Sequence, residues 1–238
     1  MLRLARFDAP PETDAAPLSV RGLSCALSGR TILRDVSLTI TAGEAVAILG
    51  ANGSGKTTLL KCLTGRLRPN AGEVRWFDRP AHRTPSARHS IGFAGHDVAL
   101  YPELTARENL VFAARMHGLP DPDRIADEAL RRVGLERHAG QFAGRLSRGM
   151  QQRVAIARAV IHAPPIVILD EPFTSLDADG RQWLEDWLNG QRIRNRTLVW
   201  TSHDDAQTRR LATRQLELHN GDLIDLAHPL PANRRRCA

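Results

Sequence analysis

From Leu18 onward, short apolar runs alternate with turn residues: Leu18 to Val20, Val36 to Ile40 and Ala45 to Leu49 are broken by Ser28-Gly29 and Ala42-Gly43. This pattern predicts an antiparallel patch feeding a first buried strand. A helix from about Gly55 to Leu63 then closes on Gly65. Between about residues 90 and 145 the signals are helical. Thr105 and Glu108 form a capping box ahead of Leu110-Val111-Phe112, and Asp121-Pro122 opens a run with Ile125, Ala129, Leu130 and Val133 on one face. Another helical run, Gly149 to Ile161, leads through Pro164-Pro165 into Ile166-Val167-Ile168-Leu169, an unalternating strand of the kind buried on both faces of a parallel sheet. Leu198 to Thr201 predicts a further strand, and the alternation of Leu216 to Asp225 around Asn220-Gly221 predicts a tight hairpin. The expected fold is α/β, with an antiparallel β subdomain and an inserted helical subdomain.

Composition narrows the setting. The chain has 238 residues, 42% of them hydrophobic, enough for one sizeable core with a smaller lobe. Its net charge of +7 comes from 33 basic and 26 acidic residues, with Arg234, Arg235 and Arg236 in a basic tail over residues 226–238. Without basic patches interleaved with aromatics, the charge points to solvation and attraction to lipid headgroups, and no nucleic-acid partner is expected. Cys25, Cys62 and Cys237 form no CxxC pair, which fits a reducing compartment, and Cys62 reads as a small core hydrophobe. No apolar stretch approaches the ~18 residues needed to span a bilayer. Residues 1–17 carry Asp8, Glu12, Asp14 and prolines, so they read as a flexible arm and not as a signal peptide. A cytoplasmic protein is expected.

The candidate chemistry begins at Gly50-Ala51-Asn52-Gly53-Ser54-Gly55-Lys56-Thr57. Placed between a strand and a helix, this is the pattern of a phosphate-binding loop, with glycines for the tight turn and backbone N–H groups aimed at phosphate oxygens. Gly50 through Thr58 are the candidate nucleotide contacts. Lys56 would reach the β- and γ-phosphates, and the Thr57 hydroxyl would ligate Mg²⁺. Asp170 and Glu171 end a buried strand at the edge where α/β proteins bind ligands. Asp170 would hold Mg²⁺ through a water, and Glu171 would orient or deprotonate the attacking water.

Leu146-Ser147-Arg148-Gly149-Met150-Gln151-Gln152-Arg153 is an LSxGxQ-type signature that kinases, GTPases and RecA-like motors lack. With it the chain resembles an ATP-binding cassette (ABC) ATPase over about residues 18–225. Ser175-Leu176-Asp177 resembles the D-loop, and His203 after Thr201-Ser202 resembles the switch histidine. The resemblance implies a P-loop NTPase fold, a homodimer that sandwiches ATP, and contacts from Ser147, Gly149 and Asp177 across that dimer. It also implies that Glu171 acts as general base and that His203 reaches the γ-phosphate.

Two positions depart from the family pattern. Leu27 stands where an aromatic usually stacks on adenine, and no Phe, Tyr or Trp occurs between Phe7 and Trp76. His96 stands where a glutamine usually touches Mg²⁺ and senses the membrane partner, which makes it a third candidate metal contact. An imidazole can ligate a metal or accept a hydrogen bond, and it titrates near neutral pH where glutamine does not. Leu23-Ser24-Cys25, Gly95-His96, Leu100 to Leu110 and Ser147 to Arg153 are together similar to the ATP-binding subunits of the haem exporter of cytochrome c maturation (the CcmA group). Asp97 follows His96 where that group often has glutamine. The implied setting is the cytoplasmic face of the inner membrane, bound to Ccm-type permease subunits. Drug and polysaccharide exporter ATPases share several of these strings, and a soluble iron–sulfur assembly ATPase is a further alternative.

Overall fold

The computed structural model describes residues 15–83, 89–203, 208 and 210–227. The expected arm up to residue 14 and the tail beyond residue 227, with Cys237 and Arg234 to Arg236, lie outside the described residues.

Two sheets carry the fold. The smaller is antiparallel, with strand order β2-β1-β4-β5, built from β1 (Leu18–Leu27), β2 (Arg30–Ile40), β4 (Ala71–Trp76) and β5 (Arg79–Pro80). The larger has the order β10-β9-β3-β8-β7-β6. Its members are β3 (Ala45–Leu49), β6 (Ile91–Ala94), β7 (Ile166–Leu169), β8 (Thr197–Ser202), β9 (Arg214–His219) and β10 (Asp222–Asp225). The described pairings β3–β8, β3–β9, β6–β7 and β7–β8 are parallel, and β9–β10 is the antiparallel hairpin turned by Asn220 and Gly221, at φ of 50° and 88°.

Helix α1 (Lys56–Leu63) packs between the sheets. Its Leu59, Leu60, Cys62 and Leu63 share one core with Leu18, Leu23 and Ile40 of the small sheet and with Val46, Ile48, Ile166 and Ile168 of the large one. Strands alternate their side chains between faces, so Ala45, Ala47, Val167, Leu169 and Trp200 fall on the opposite face. There they meet Ile156 of α4 (Arg148–Ala159) and Leu184 and Leu188 of α5 (Ala178–Ile193). Burying β7 on both faces accounts for its unbroken apolar sequence.

The helical elements start later than the sequence pattern indicates, because residues 91–94 form edge strand β6. They comprise α2 (Ala106–Met116), α3 (Pro122–Arg132) and two short 3₁₀ turns, and they share a core with Leu146, Val154 and Ala157 around α4. The capping box of α2 is complete, and Asp121 caps α3 with Pro122 in its first turn. On α3 the fully buried positions are Ala126 and Leu130, while Ile125 and Ala129 are half-buried.

Cys25 and Cys62, far apart in sequence, meet in the core as free thiols. Burial first, and then the neighbouring Cys25, push the Cys62 thiol up to about 12. It stays neutral and packs as a small apolar group.

Candidate active site

The C-terminal ends of β3, β7 and β8 converge, and their register decides what meets. Leu49 pairs with Ser202 and Leu169 with Trp200, so Gly50, Asp170 and His203 leave the sheet side by side, with Thr201 next to Asp170.

The loop between β3 and α1 is shaped for an anion. Gly50, Gly53 and Gly55 have φ of 150°, 79° and 106°, values that side chains resist. A Cβ on Gly50 would lie 2.6 Å from the Leu218 carbonyl oxygen, and one on Gly55 would lie 2.9 Å from Ile32. Among helices α1 to α5, α1 alone lacks a side-chain cap: Gly55 is its N-cap, whereas Thr105, Asp121, Ser147 and Asp177 cap the others. Its first-turn N–H groups face no acidic side chain in that turn, which leaves them free to bind an anion. Ala51, Asn52 and Gly53 are exposed around this loop, Thr58 is half-buried one turn in, and the Ser54 hydroxyl is buried without a protein partner.

The charged groups form one network. Lys56 is buried, with Nζ 2.7 Å from the Gly50 oxygen, 3.1 Å from the Ala51 oxygen and 3.6 Å from Glu171 Oε1. Asp170 is 1% exposed and accepts two hydroxyls, Thr57 Oγ1 on Oδ2 at 2.8 Å and Thr201 Oγ1 on Oδ1 at 2.7 Å. Its N–H donates to the Ala94 oxygen at 2.8 Å. These bonds compensate the burial of a carboxylate. Thr57 and Asp170 therefore present hard oxygen donors from two elements at one point, a donor set that suits Mg²⁺ completed by waters and phosphate.

Glu171 has φ of 47°, a strained value for a non-glycine residue, and its N–H donates to Thr201 Oγ1 at 2.7 Å. Its Oε2 accepts from Thr174 Oγ1 at 3.4 Å and lies 3.8 Å from Nδ1 of exposed His203. A cavity of about 40 Å³ is lined by His96, Arg148, Gln152, Asp170 and Glu171, among others, which leaves room for a water beside both carboxylates.

Lys56, Thr57, Asp170, Glu171 and His203 thus converge, and His96 borders the same cavity. Ser147, Gly149 and Asp177 bond elsewhere than to these five. The Ser147 hydroxyl accepts from Met150 N at 3.2 Å, and a Cβ on Gly149 would lie 3.1 Å from the Ser175 oxygen. Asp177 caps α5 through Gly180 N at 2.8 Å and lies 3.6 Å from Arg153. Sequence reasoning missed Thr201. Its one available signal is a hydroxyl at the end of an apolar strand, which gains meaning only from the register with β7.

Residues 33–174 match the ABC transporter family. The chain is 37% identical over 206 residues to the cytochrome c biogenesis ATP-binding export protein CcmA 1 of Salmonella paratyphi A, covering 86% of this chain and 98% of that one. It is 36% identical over 197 residues to the ABC transporter ATP-binding protein NatA of Bacillus subtilis, covering 81% and 80%. A dimeric ATP-binding cassette in a post-hydrolysis state, bound to ADP and Pi, superposes with a TM-score of 0.81 at 30% identity over 87% of this chain and 96% of that one. The loop geometry, the carboxylate network and these likenesses agree: the chain belongs to the ABC transporter family as an ATP-binding, ATP-hydrolysing subunit.

Proposed function

We propose that this ATPase drives a separate membrane permease, the haem exporter complex of cytochrome c biogenesis, from the cytoplasmic face of the inner membrane. The observation that carries the ATPase mechanism is the network joining Lys56, Glu171, Thr57, Asp170 and Thr201. The haem-exporter assignment is supported by two CcmA proteins among the relatives, the second from Cupriavidus necator at 40% identity over 172 residues, and by the Gly95-His96 pair. The described residues contain no helix long and apolar enough to cross a membrane.

In this reading Gly50 through Thr58 cradle the phosphates of ATP, and Lys56 exchanges its bonds to the Gly50 and Ala51 carbonyls for phosphate oxygens. Thr57 and Asp170 would hold Mg²⁺, which when bound offsets charge on the phosphates. Glu171 takes a proton from water as its oxygen attacks the γ-phosphorus and ADP departs, and His203 positions that water. Thr201 aims both carboxylates, the first through Oδ1 of Asp170 and the second through the backbone of Glu171. Ser147, Gly149 and Asp177 act on the ATP held by the second copy in a homodimer. The helical elements between about residues 95 and 145 receive the permease.

Glu171→Gln keeps the size of the side chain and removes the base. We expect the variant to bind ATP but to hydrolyse it about 10²-fold more slowly or worse, and normal turnover would refute the role. The same variant, captured with ATP from native membranes in mild detergent, should carry its integral membrane partners with it. Ccm-type subunits would support the haem-exporter role. A drug- or polysaccharide-exporter permease would replace that role while keeping the mechanism.

A further inference from the structure

We propose that the carboxamide of Gln152, on α4, orients the attacking water against Glu171 of the same copy. This rests on the ATPase reading and adds to His203 a second group that holds that water.

Gln152 is 6% exposed, yet its carboxamide makes no hydrogen bond with the described residues. The other two buried carboxamides among the described residues are satisfied. Asn109 donates to the carbonyls of Tyr101, Leu104 and Thr105 and accepts from Tyr101 N, and Gln191 Oε1 accepts from Arg196 Nη1 at 2.7 Å. A buried polar group without a protein partner calls for a bound water or a role in chemistry. Here there is space for both, because Gln152 lines the cavity of about 40 Å³ that Asp170 and Glu171 also line. A space that small holds only a few waters, so Gln152 and Glu171 can meet across it through water.

The chemistry singles out Gln152 among the cavity's walls. Both oxygens of Asp170 already accept hydroxyls, from Thr57 and Thr201. Glu171 has only Thr174 at 3.4 Å on Oε2 and Lys56 at 3.6 Å from Oε1, which leaves it lone pairs for a water. Arg148, one turn before Gln152 on α4, carries donors only, whereas the Gln152 oxygen can accept. A water that gives one hydrogen to Glu171 and the other to the Gln152 oxygen turns a lone pair toward the γ-phosphorus. As the new O–P bond forms, the first proton passes to Glu171 and the bond from phosphorus to the departing ADP oxygen breaks. Gln152 takes no proton. Helix α4 thus serves two ATP molecules, its own through Gln152 and the partner's through Ser147.

Gln152→Leu keeps an apolar side chain of similar bulk and removes both polar atoms. We expect kcat to fall about tenfold or more, with KM for ATP and the urea midpoint unchanged, because no protein bond is lost. In the Glu171→Gln background, followed by single-turnover hydrolysis, the same change should cost less than about twofold. The double variant should still form an ATP-dependent dimer. An unchanged kcat, or an equal loss in both backgrounds, would overturn the proposal and leave the ATPase reading standing. A lowered urea midpoint together with loss of that dimer would assign Gln152 to the packing of α4 and overturn it as well. If wild type hydrolyses no ATP, the reading beneath the proposal falls with it.

Discussion

At the scale of single residues, Thr201 joins the two carboxylates on which the chemistry depends. Its hydroxyl donates to Asp170 at 2.7 Å and accepts from the Glu171 N–H at 2.7 Å, and the residue is fully buried. Thr201→Val keeps the shape and removes both bonds, leaving a buried N–H unsatisfied and Asp170 short of a donor. We expect a loss of about 1–3 kcal/mol of stability and turnover reduced more than ATP affinity, read by urea unfolding and by separating kcat from KM. An unchanged kcat would mean that Thr201 is only structural. At Leu27 the question is selectivity. Leu27 is 42% exposed at the end of β1 and offers an apolar ledge without a π-face, where aromatic stacking on a base is worth roughly 1–3 kcal/mol. GTP should therefore compete with ATP within about tenfold, and Leu27→Tyr should tighten ATP binding. Exclusive ATP binding by wild type would refute this.

At the scale of elements, three imidazoles join parts of the chain that sequence spacing does not connect. His117 caps the C-terminus of α2, His162 follows α4, and His89 precedes β6. The rings of His117 and His162 stack at 3.8 Å, and His89 meets His117 edge-on at 5.4 Å. Burial first, then His117, His89 and Arg196, lower the pKa of His162 to about 3, against the Ile91 backbone, which raises it. The unfolded imidazole, titrating near 6.5, takes up a proton that the folded state refuses. Stability therefore falls as pH drops below about 6.5, by about 2 kcal/mol at pH 5 from this one group. The urea midpoint of His162→Phe should fall less between pH 7.5 and pH 5 than that of wild type, and equal acid sensitivity would refute the assignment. Such contacts, like that of Cys25 with Cys62, are made by folding and leave no local pattern. What was legible had a local cause: Gly50, Gly53 and Gly55 must adopt positive φ, Asn220-Gly221 must turn, and β7 must be apolar on both faces. Strand β6 was hidden because Gly92 reads as an interruption, although a Cβ there would lie 2.4 Å from the Ala159 oxygen, so close packing of α4 demands glycine. Helix α5 was hidden behind its polar opening, Asp177-Ala178-Asp179-Gly180, even though Leu184 and Leu188 recur at helical spacing on its buried face.

At the scale of the whole molecule, the division of the site residues into two groups, one bonded together and one bonded elsewhere, bears on how copies combine. Lys56, Thr57, Asp170, Glu171 and His203 lie at the sheet edge, while Ser147, capping α4, and Gly149, against Ser175, belong to another part of the chain. If each ATP is held by the first group of one copy and the second group of its partner, defects in the two groups must complement each other. Lys56→Met removes the phosphate-binding cation. Ser147→Asp preserves the cap, since Asp caps as well as Ser, but sets a negative charge against the γ-phosphate of the opposite copy. Each variant alone carries the same defect at both sites of its dimer and should be inactive. In a mixed dimer both defects fall on one site, and the other pairs an intact loop with an intact signature. With equal mixing about half the dimers are mixed, each with one working site, so independent sites would restore about a quarter of wild-type ATPase activity. Activity that stays at zero would show either that ATP is not shared between copies or that one site cannot turn over alone. The Glu171→Gln variant separates these outcomes: if it forms an ATP-dependent dimer in wild-type form but remains monomeric with Ser147→Asp, the signature of one copy does close on the nucleotide of the other.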